Sequence, residues 1–219
     1  MMTLQDYIPL VTFLGQALGP NCEVVLHDLT DPNNAIIAIA NGHISQRKVG
    51  GPTTDLALKV LKDGLNEGKD FIANYHARIK NNNLCRSSSF FIRDENNNIT
   101  GVLCINQDIT NFVVARRLLD DLIRCEEQPQ PPERTESDVV DIFENLHSSL
   151  DDVLTAVIDN VLNEYEVPPD RMSLEEKVGA VKQLNDSGLF LLKGGVSELA
   201  RRMHISEPTV YRYLNKIKE

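Results

Sequence analysis

Seven residues just past the midpoint of this 219-residue chain, Glu126-Glu127-Gln128-Pro129-Gln130-Pro131-Pro132, allow neither a helix nor a strand to run through them. Each proline lacks a backbone donor and holds φ at about −65°, so three of them among polar residues read as a semi-stiff linker. The chain therefore builds as separate units, each long enough for its own hydrophobic core. The expected division is 1–125, a linker at 126–134, a long helix at 135–166 and a last unit at 173–219.

The first unit mixes two periodicities. Leu4, Tyr7, Ile8, Val11, Leu14 and Leu18 recur at helical spacing, with Pro9 acceptable only near the start of that helix. Two strand-like runs follow, Cys22–Asp28 (CEVVLHD) and Ile36–Ala40 (IIAIA), parted by the turn cluster Thr30-Asp31-Pro32-Asn33-Asn34. Thr53–Leu65 returns to helical spacing, and three more extended runs occupy Ile72–Ile79, Leu84–Arg93 and Ile99–Gln107. Short polar connections imply antiparallel pairing. The expected fold class is α+β: a five-stranded antiparallel sheet with helices over one face, then a helix from Thr110 to Arg124.

Beyond the linker, helical spacing takes over. Val139, Phe143, Leu146, Leu150, Val153, Val157 and Val161 recur every three or four residues, predicting one acidic helix from Thr135 or Ser137 to about Asn163. Its apolar seam could pair two copies of the chain or pack on its own domain. Ser173 followed by Glu176 is a capping box opening a helix with Leu174, Val178, Val181 and Leu184 on its apolar stripe, and Gly188 suits its end. A second short helix follows Val196-Ser197, with Ser197 as its expected cap. A third runs from Glu207 to Lys218, with Ser206 as cap and Pro208 in the first turn.

The net charge of −10 divides unevenly along the chain. Ser173–Glu219 carries eight basic and six acidic residues, while the rest holds 14 basic and 26 acidic. A basic end on an acidic body suits a partner that is itself a polyanion. No run of about 20 apolar residues is present for a membrane span. The first residues, Met1-Met2-Thr3-Leu4-Gln5-Asp6, lack a signal-peptide pattern, so a cytoplasmic location is expected. Cys22, Cys85, Cys104 and Cys125 are widely spaced, and no triad, metal-ligand or phosphate-loop spacing occurs, so neither an enzyme nor a cofactor is expected.

The segment ELARRMHISEPTVYRYL, Glu198–Leu214, resembles the bacterial helix-turn-helix, with Leu199, Met203, Ile205, Val210 and Tyr213 inward and Ala200 where the helices cross. His204 stands where that pattern usually has Gly. The resemblance implies binding of double-stranded DNA. Ser206, Glu207, Pro208, Thr209, Tyr211, Arg212 and Lys216 would face the duplex, and Arg201, Arg202 and Lys218 would add charge. EVVLHDL (Glu23–Leu29), ANGHIS (Ala40–Ser45), GPTTDLAL (Gly51–Leu58), SSSFFIRD (Ser87–Asp94) and GVLCIN (Gly101–Asn106) resemble the YheO-like PAS domain. With the C-terminal segment this looks like a YheO-like transcriptional regulator, of the group that includes the D-arginine utilisation repressor. The resemblance implies a sensor fold and a role in gene control.

Glu23, His27, Asn41, His43, Ser45, Arg47, Arg86 and Ser88 are candidates for a pocket taking a small anionic or amino-acid-like effector, with Arg47 and Arg86 suited to a carboxylate. The alternative is that these groups bond to loops and to one another. A homodimer or higher homo-oligomer is expected because such regulators read paired half-sites. Two other readings remain: a signalling adaptor whose last three helices bind protein, and a redox- or haem-sensing regulator acting through a cysteine.

Overall fold

The computed structural model describes residues 3–63, 69–79, 83–123, 143–165 and 167–218. Every residue from Cys22 to His27 is buried, which a strand achieves only inside a sheet covered on both faces. Strand β1 (Cys22–Asp28) duly lies between β2 (Ile36–Ala40) and β5 (Ile99–Asp108). Beyond β5 come β4 (Leu84–Arg93), β3 (Phe71–Arg78) and β6 (Phe143–Asn145), giving the order β2-β1-β5-β4-β3-β6. The first five pair antiparallel as expected.

Both faces carry helices, rather than one. Helix α1 (Ile8–Ala17), with Pro9 in its first turn, sets Val11 against Val24, Leu26, Ala38, Ile92 and Leu103. The approach is so close that a Cβ on Gly15 would lie 2.3 Å from that of Ala40. Across the sheet, α2 (Asp55–Asp63) packs Ala57 and Val60 on Leu29, Phe91, Val102 and Cys104. Helix α3 (Thr110–Leu122) follows β5 and buries none of its residues.

The expected helix from 135 to 163 is shortened, with only Leu150–Leu162 of it helical among the described residues. Residues 135–142 and the proline-rich linker lie outside the described residues. From Phe143 to Asn145 the chain is instead a sixth strand, parallel to β3. Asn145 anchors it, its N–H and side-chain amide donating to the Asp55 carboxylate at 3.1 and 2.8 Å. Leu146 enters a small core with Ala77, Ile79 and Cys85. Helix α4 (Leu150–Leu162) begins only after Ser149, whose hydroxyl accepts from the Asp152 N–H at 3.2 Å.

Val153, Val157 and Val161 of α4 are buried within their own chain, so of the two readings of the seam the structure takes packing on its own domain. They share one core with α5 (Leu174–Asp186), α6 (Gly195–Arg202) and α7 (Glu207–Lys218), through Val181, Leu184, Leu199, Met203, Val210 and Tyr213. Leu58 from the outer side of α2 is fully buried in the same core, which joins the sheet to the helices. Ser173 and Glu176 form the capping box of α5. Leu174 departs from its expected place on the stripe and is exposed. Ser197 is not a cap either: α6 starts at Gly195, with Gly194 before it at φ +88°.

Candidate functional site

Two surfaces carry chemistry beyond packing. The first is α7. His204 adopts φ +52°, a left-handed turn that His tolerates, and so reverses the chain between α6 and α7. Val210 and Tyr213 are buried, with Leu214 and Ile217 packed beside them. The opposite side presents Ser206, Glu207, Pro208, Tyr211, Arg212, Asn215 and Lys216 to solvent, with Thr209 half-buried. The Ser206 and Thr209 hydroxyls bond at 2.9 Å, and Glu207 accepts from the Ser197 hydroxyl at 2.7 Å, tying α7 to α6. The guanidinium carbon of the exposed Arg212 lies 5.6 Å from the Tyr213 ring centroid, a cation–π contact that steadies the side chain. Asn215 was not singled out in the sequence, although its position three residues after Arg212 places it on the same face.

Arg201 and Arg202 are already engaged. Both bond to Glu198, and Arg202 also reaches Asp159 of α4 at 3.1 Å. Arg202 therefore holds α6 to α4, leaving Arg201, which is largely exposed, as the cation nearer solvent. Of Lys218 the structure describes only the backbone.

The second surface is internal, between the sheet and the segment leading into α2. Glu23, Ser45 and Arg47 are buried together. Arg47 and the Ser45 hydroxyl both donate to the Glu23 carboxylate, and Asn106 of β5 adds a third bond at 3.1 Å. Ser87 donates to Asn106 at 2.8 Å. Nearby, the Tyr75 hydroxyl donates to Glu144 at 2.7 Å and lies 2.8 Å from Ser89. Burial raises the Glu144 carboxyl to about 7, helped by the charge of Asp55 and opposed by bonds from Thr54 and Tyr75.

His27 is buried beside this network, and neither ring nitrogen has a partner. Burial first, and the Arg47 charge second, lower its pKa to about 3, so the imidazole is neutral with one donor and one acceptor. Arg47 Nη1 is buried and unpartnered as well. Buried polar groups are normally satisfied, so these unmatched groups mark a place where a polar molecule would gain hydrogen bonds.

Of the eight residues expected to line a pocket, Glu23, His27, Ser45 and Arg47 do converge. The other four do not. Arg86 and Ser88 project from the other face of β4, where Arg86 donates to Gln107 at 2.8 Å and Ser88 accepts from the Asn74 N–H at 3.1 Å. His43 is exposed. Asn41 staples loops, its amide reaching the carbonyls of Gly15, Gly19 and Cys22 at 2.7–3.0 Å. Asn106, Ser87, Tyr75 and Glu144 were missed. The alternation of β4 and β5 could have supplied Ser87 and Asn106, since each sits two residues from a buried neighbour on the same face.

Residues 1–124 match the model of the YheO-like PAS domain, and residues 153–215 match that of an HTH domain. The chain belongs to the YheO-like family. Uncharacterized protein YheO of Escherichia coli (strain K12) is 30% identical over 98% of this chain and 85% of its own. The transcriptional regulator DauR of Pseudomonas aeruginosa is 26% identical over 99% of this chain and 95% of its own. A PAS domain from Colwellia psychrerythraea superposes with a TM-score of 0.32 at 18% identity, covering 46% of this chain and 98% of that one.

The HTH match in this YheO-like chain begins at the foot of α4, in agreement with the burial of α4 in the helical core. Among the described cysteines, Cys22, Cys85 and Cys104 are all buried. Burial pushes the Cys85 and Cys104 thiols up to about 12, so neither is a thiolate near neutral pH. Cys125 lies outside the described residues. No described helix is long and apolar enough to cross a membrane, and no described group of His, Cys, Asp and Glu could hold a metal ion.

The Glu144 shift predicts a pH signature. A carboxyl held at about 7 when folded and near 4.5 when unfolded stabilises the protein below the lower value. That stability disappears as pH rises through the higher one, on the order of 3 kcal/mol in all. Glu144→Gln keeps the acceptor for Tyr75 and abolishes the titration. Urea unfolding of both proteins should show the variant gaining on wild type between pH 4.5 and 7.5. A difference that does not change with pH would refute the buried, shifted carboxyl.

Proposed function

We propose that this chain is a DNA-binding transcriptional regulator whose sensor domain responds to a small polar molecule and which reads its operator as a two-fold pair. The observation that carries the reading is the outward side of α7, hydrophilic and exposed while the helix is clamped by Val210 and Tyr213. An α-helix fits the major groove of B-DNA, about 12 Å wide. Its first turns would approach base edges through Ser206, Thr209 and Arg212, the guanidinium matching a guanine edge bidentately. Lys216 and Arg201 would sit near phosphates, and Tyr211 and Asn215 could donate to either. Glu207 faces α6 as well as solvent, and its role is to orient the helix. The name of the Pseudomonas relative, a transcriptional regulator, supports the same assignment. A protein-binding adaptor is favoured less, because an outward face of this polarity offers a partner little apolar surface to bury.

The sensor reading rests on His27 and Arg47. Glu23 already neutralises Arg47, so the surroundings of His27 are not strongly cationic, and a neutral or zwitterionic molecule suits them better than a bare anion. Such a molecule would supply an acceptor for Arg47 Nη1 and complement one side of the neutral His27 ring.

Titration of the full chain onto its own upstream duplex at several salt concentrations tests the DNA reading. Affinity should fall steeply with salt, the logarithmic slope being about 0.9 per phosphate neutralised, and Arg212→Ala should cost about 1–3 kcal/mol on the preferred sequence. Equal, weak binding by both proteins to any duplex would favour the adaptor. For the sensor, a thermal-shift screen of amino acids and small oxo-acids should find a compound that stabilises wild type by about 2.7 kcal/mol at 100-fold its Kd, and that effect should vanish in His27→Phe. Equal stabilisation of both proteins, or of neither by any compound, would overturn the pocket.

A further inference from the structure

Helix α4 has two faces. Val153, Leu154, Val157, Ile158 and Val161 enter the helical core. At about 100° per residue, Asp152, Thr155, Ala156 and Asp159 lie together on the other side. They form one wall of a cleft of about 400 Å³, whose other wall is Arg78 and Ile79 at the end of β3 and the segment from Asn145 to Ser148. Sites for small molecules begin at about 300 Å³ and favour the junctions between domains. This cleft lies at such a junction, where the sheet of the PAS domain meets the helix in which the HTH match begins.

The lining suits a small molecule that carries both signs of charge. Asp159 is already engaged, its carboxylate 3.1 Å from the Arg202 guanidinium. Asp152 is not. Among the described residues, the one hydrogen bond to its half-buried carboxylate comes from the Ser148 hydroxyl, at a long 3.5 Å. His147 beside it supplies no cation, because burial holds its pKa below the ordinary value against the pull of Asp55 and Asp152. A desolvated carboxylate in this state gains from an ammonium group. Arg78 stands in the same lining, and its guanidinium, with five donors, takes a carboxylate in a forked pair beside any bond it already makes. Ile79, Leu146 and Ala156 add apolar surface for a carbon body.

We propose that this cleft binds a free amino acid, with the ammonium on Asp152 and the carboxylate on Arg78. It shares no residue with the surroundings of His27, so the two sites stand or fall separately. An amino acid seated here spans the end of β3 and α4. It thereby adds a contact between the sheet and the helix whose Asp159 holds Arg202 of α6.

Titration calorimetry of the full chain with each of the standard amino acids in turn tests the site, with far-UV circular dichroism to show that each variant keeps its fold. At least one amino acid should bind, one per chain. Its Kd should rise about tenfold or more in Asp152→Asn, which removes the charge and keeps the shape, the usual loss for one charge-assisted bond. Ala156→Leu, which fills the cleft and leaves both charges, should weaken binding as much. The amine that lacks that amino acid's carboxylate should also bind about tenfold or more weaker, and binding should persist in His27→Phe. No binding by any amino acid, an undiminished affinity in Asp152→Asn or Ala156→Leu, or equal binding of the amine would each overturn the inference. Binding lost in His27→Phe and kept in Asp152→Asn would move the amino acid to the surroundings of His27 and overturn it too. The reading of α7 is judged separately, by the Arg212→Ala titration.

Discussion

A single apolar core, in which Val153, Val157 and Val161 of α4 meet Val181, Leu184, Leu199, Met203, Val210 and Tyr213, is the constraint on which the rest depends. Burying one side of α7 in that core is what presents the opposite side to solvent. It also takes up the apolar seam of α4, and it brings in Leu58 of the PAS domain as a fully buried member. Removing a leucine from such a site costs about 2–5 kcal/mol in comparable cores, so the contact is a substantial link between the two halves. Helix α2 thus touches the sheet with Ala57 and Val60 and the helical core with Leu58.

The PAS and HTH halves are joined a second time through β6. Glu144 lies in the floor of the polar network, Asn145 bonds to Asp55 at the start of α2, and α4 begins five residues later. Any rearrangement of the network that moved Glu144 would pull on the strand that leads directly into the helical core. Arg202 closes the path by bonding Asp159 of α4 while sitting one residue before the turn that launches α7. These contacts link the polar network around Glu144 to the start of α7 through ion pairs and hydrogen bonds that exist in one arrangement here.

Much of this was legible in the residues. The strand-like run CEVVLHD, and the turn clusters between the strands, place β1, β2 and β4 at their observed limits. Capping chemistry at Ser173 and the permissive His204 turn were equally plain, because both depend on neighbours within four residues. What failed was non-local. Phe143 and Leu146 fit the helical spacing of the residues after them, and only the open edge of β3, some 65 residues earlier in the chain, decides that this stretch is a strand. In β4 the run Ser87-Ser88-Ser89 gives no polarity contrast, so a choice of face one residue out of step turns Arg86 and Ser88 inward on paper and Ser87 and Ser89 outward. That α3 buries none of its residues was not legible either, since periodicity tells which residues share a face and not what covers it.

The most direct measurement is amide hydrogen exchange on the full chain, alone and with its upstream duplex at low salt. Clamped by its core and docked in a groove, the segment from Ser206 to Lys216 should gain the largest protection on adding DNA, with strands β2 and β3 unchanged. Protection that appears on the sheet or on α3 while α7 exchanges as before would contradict the account.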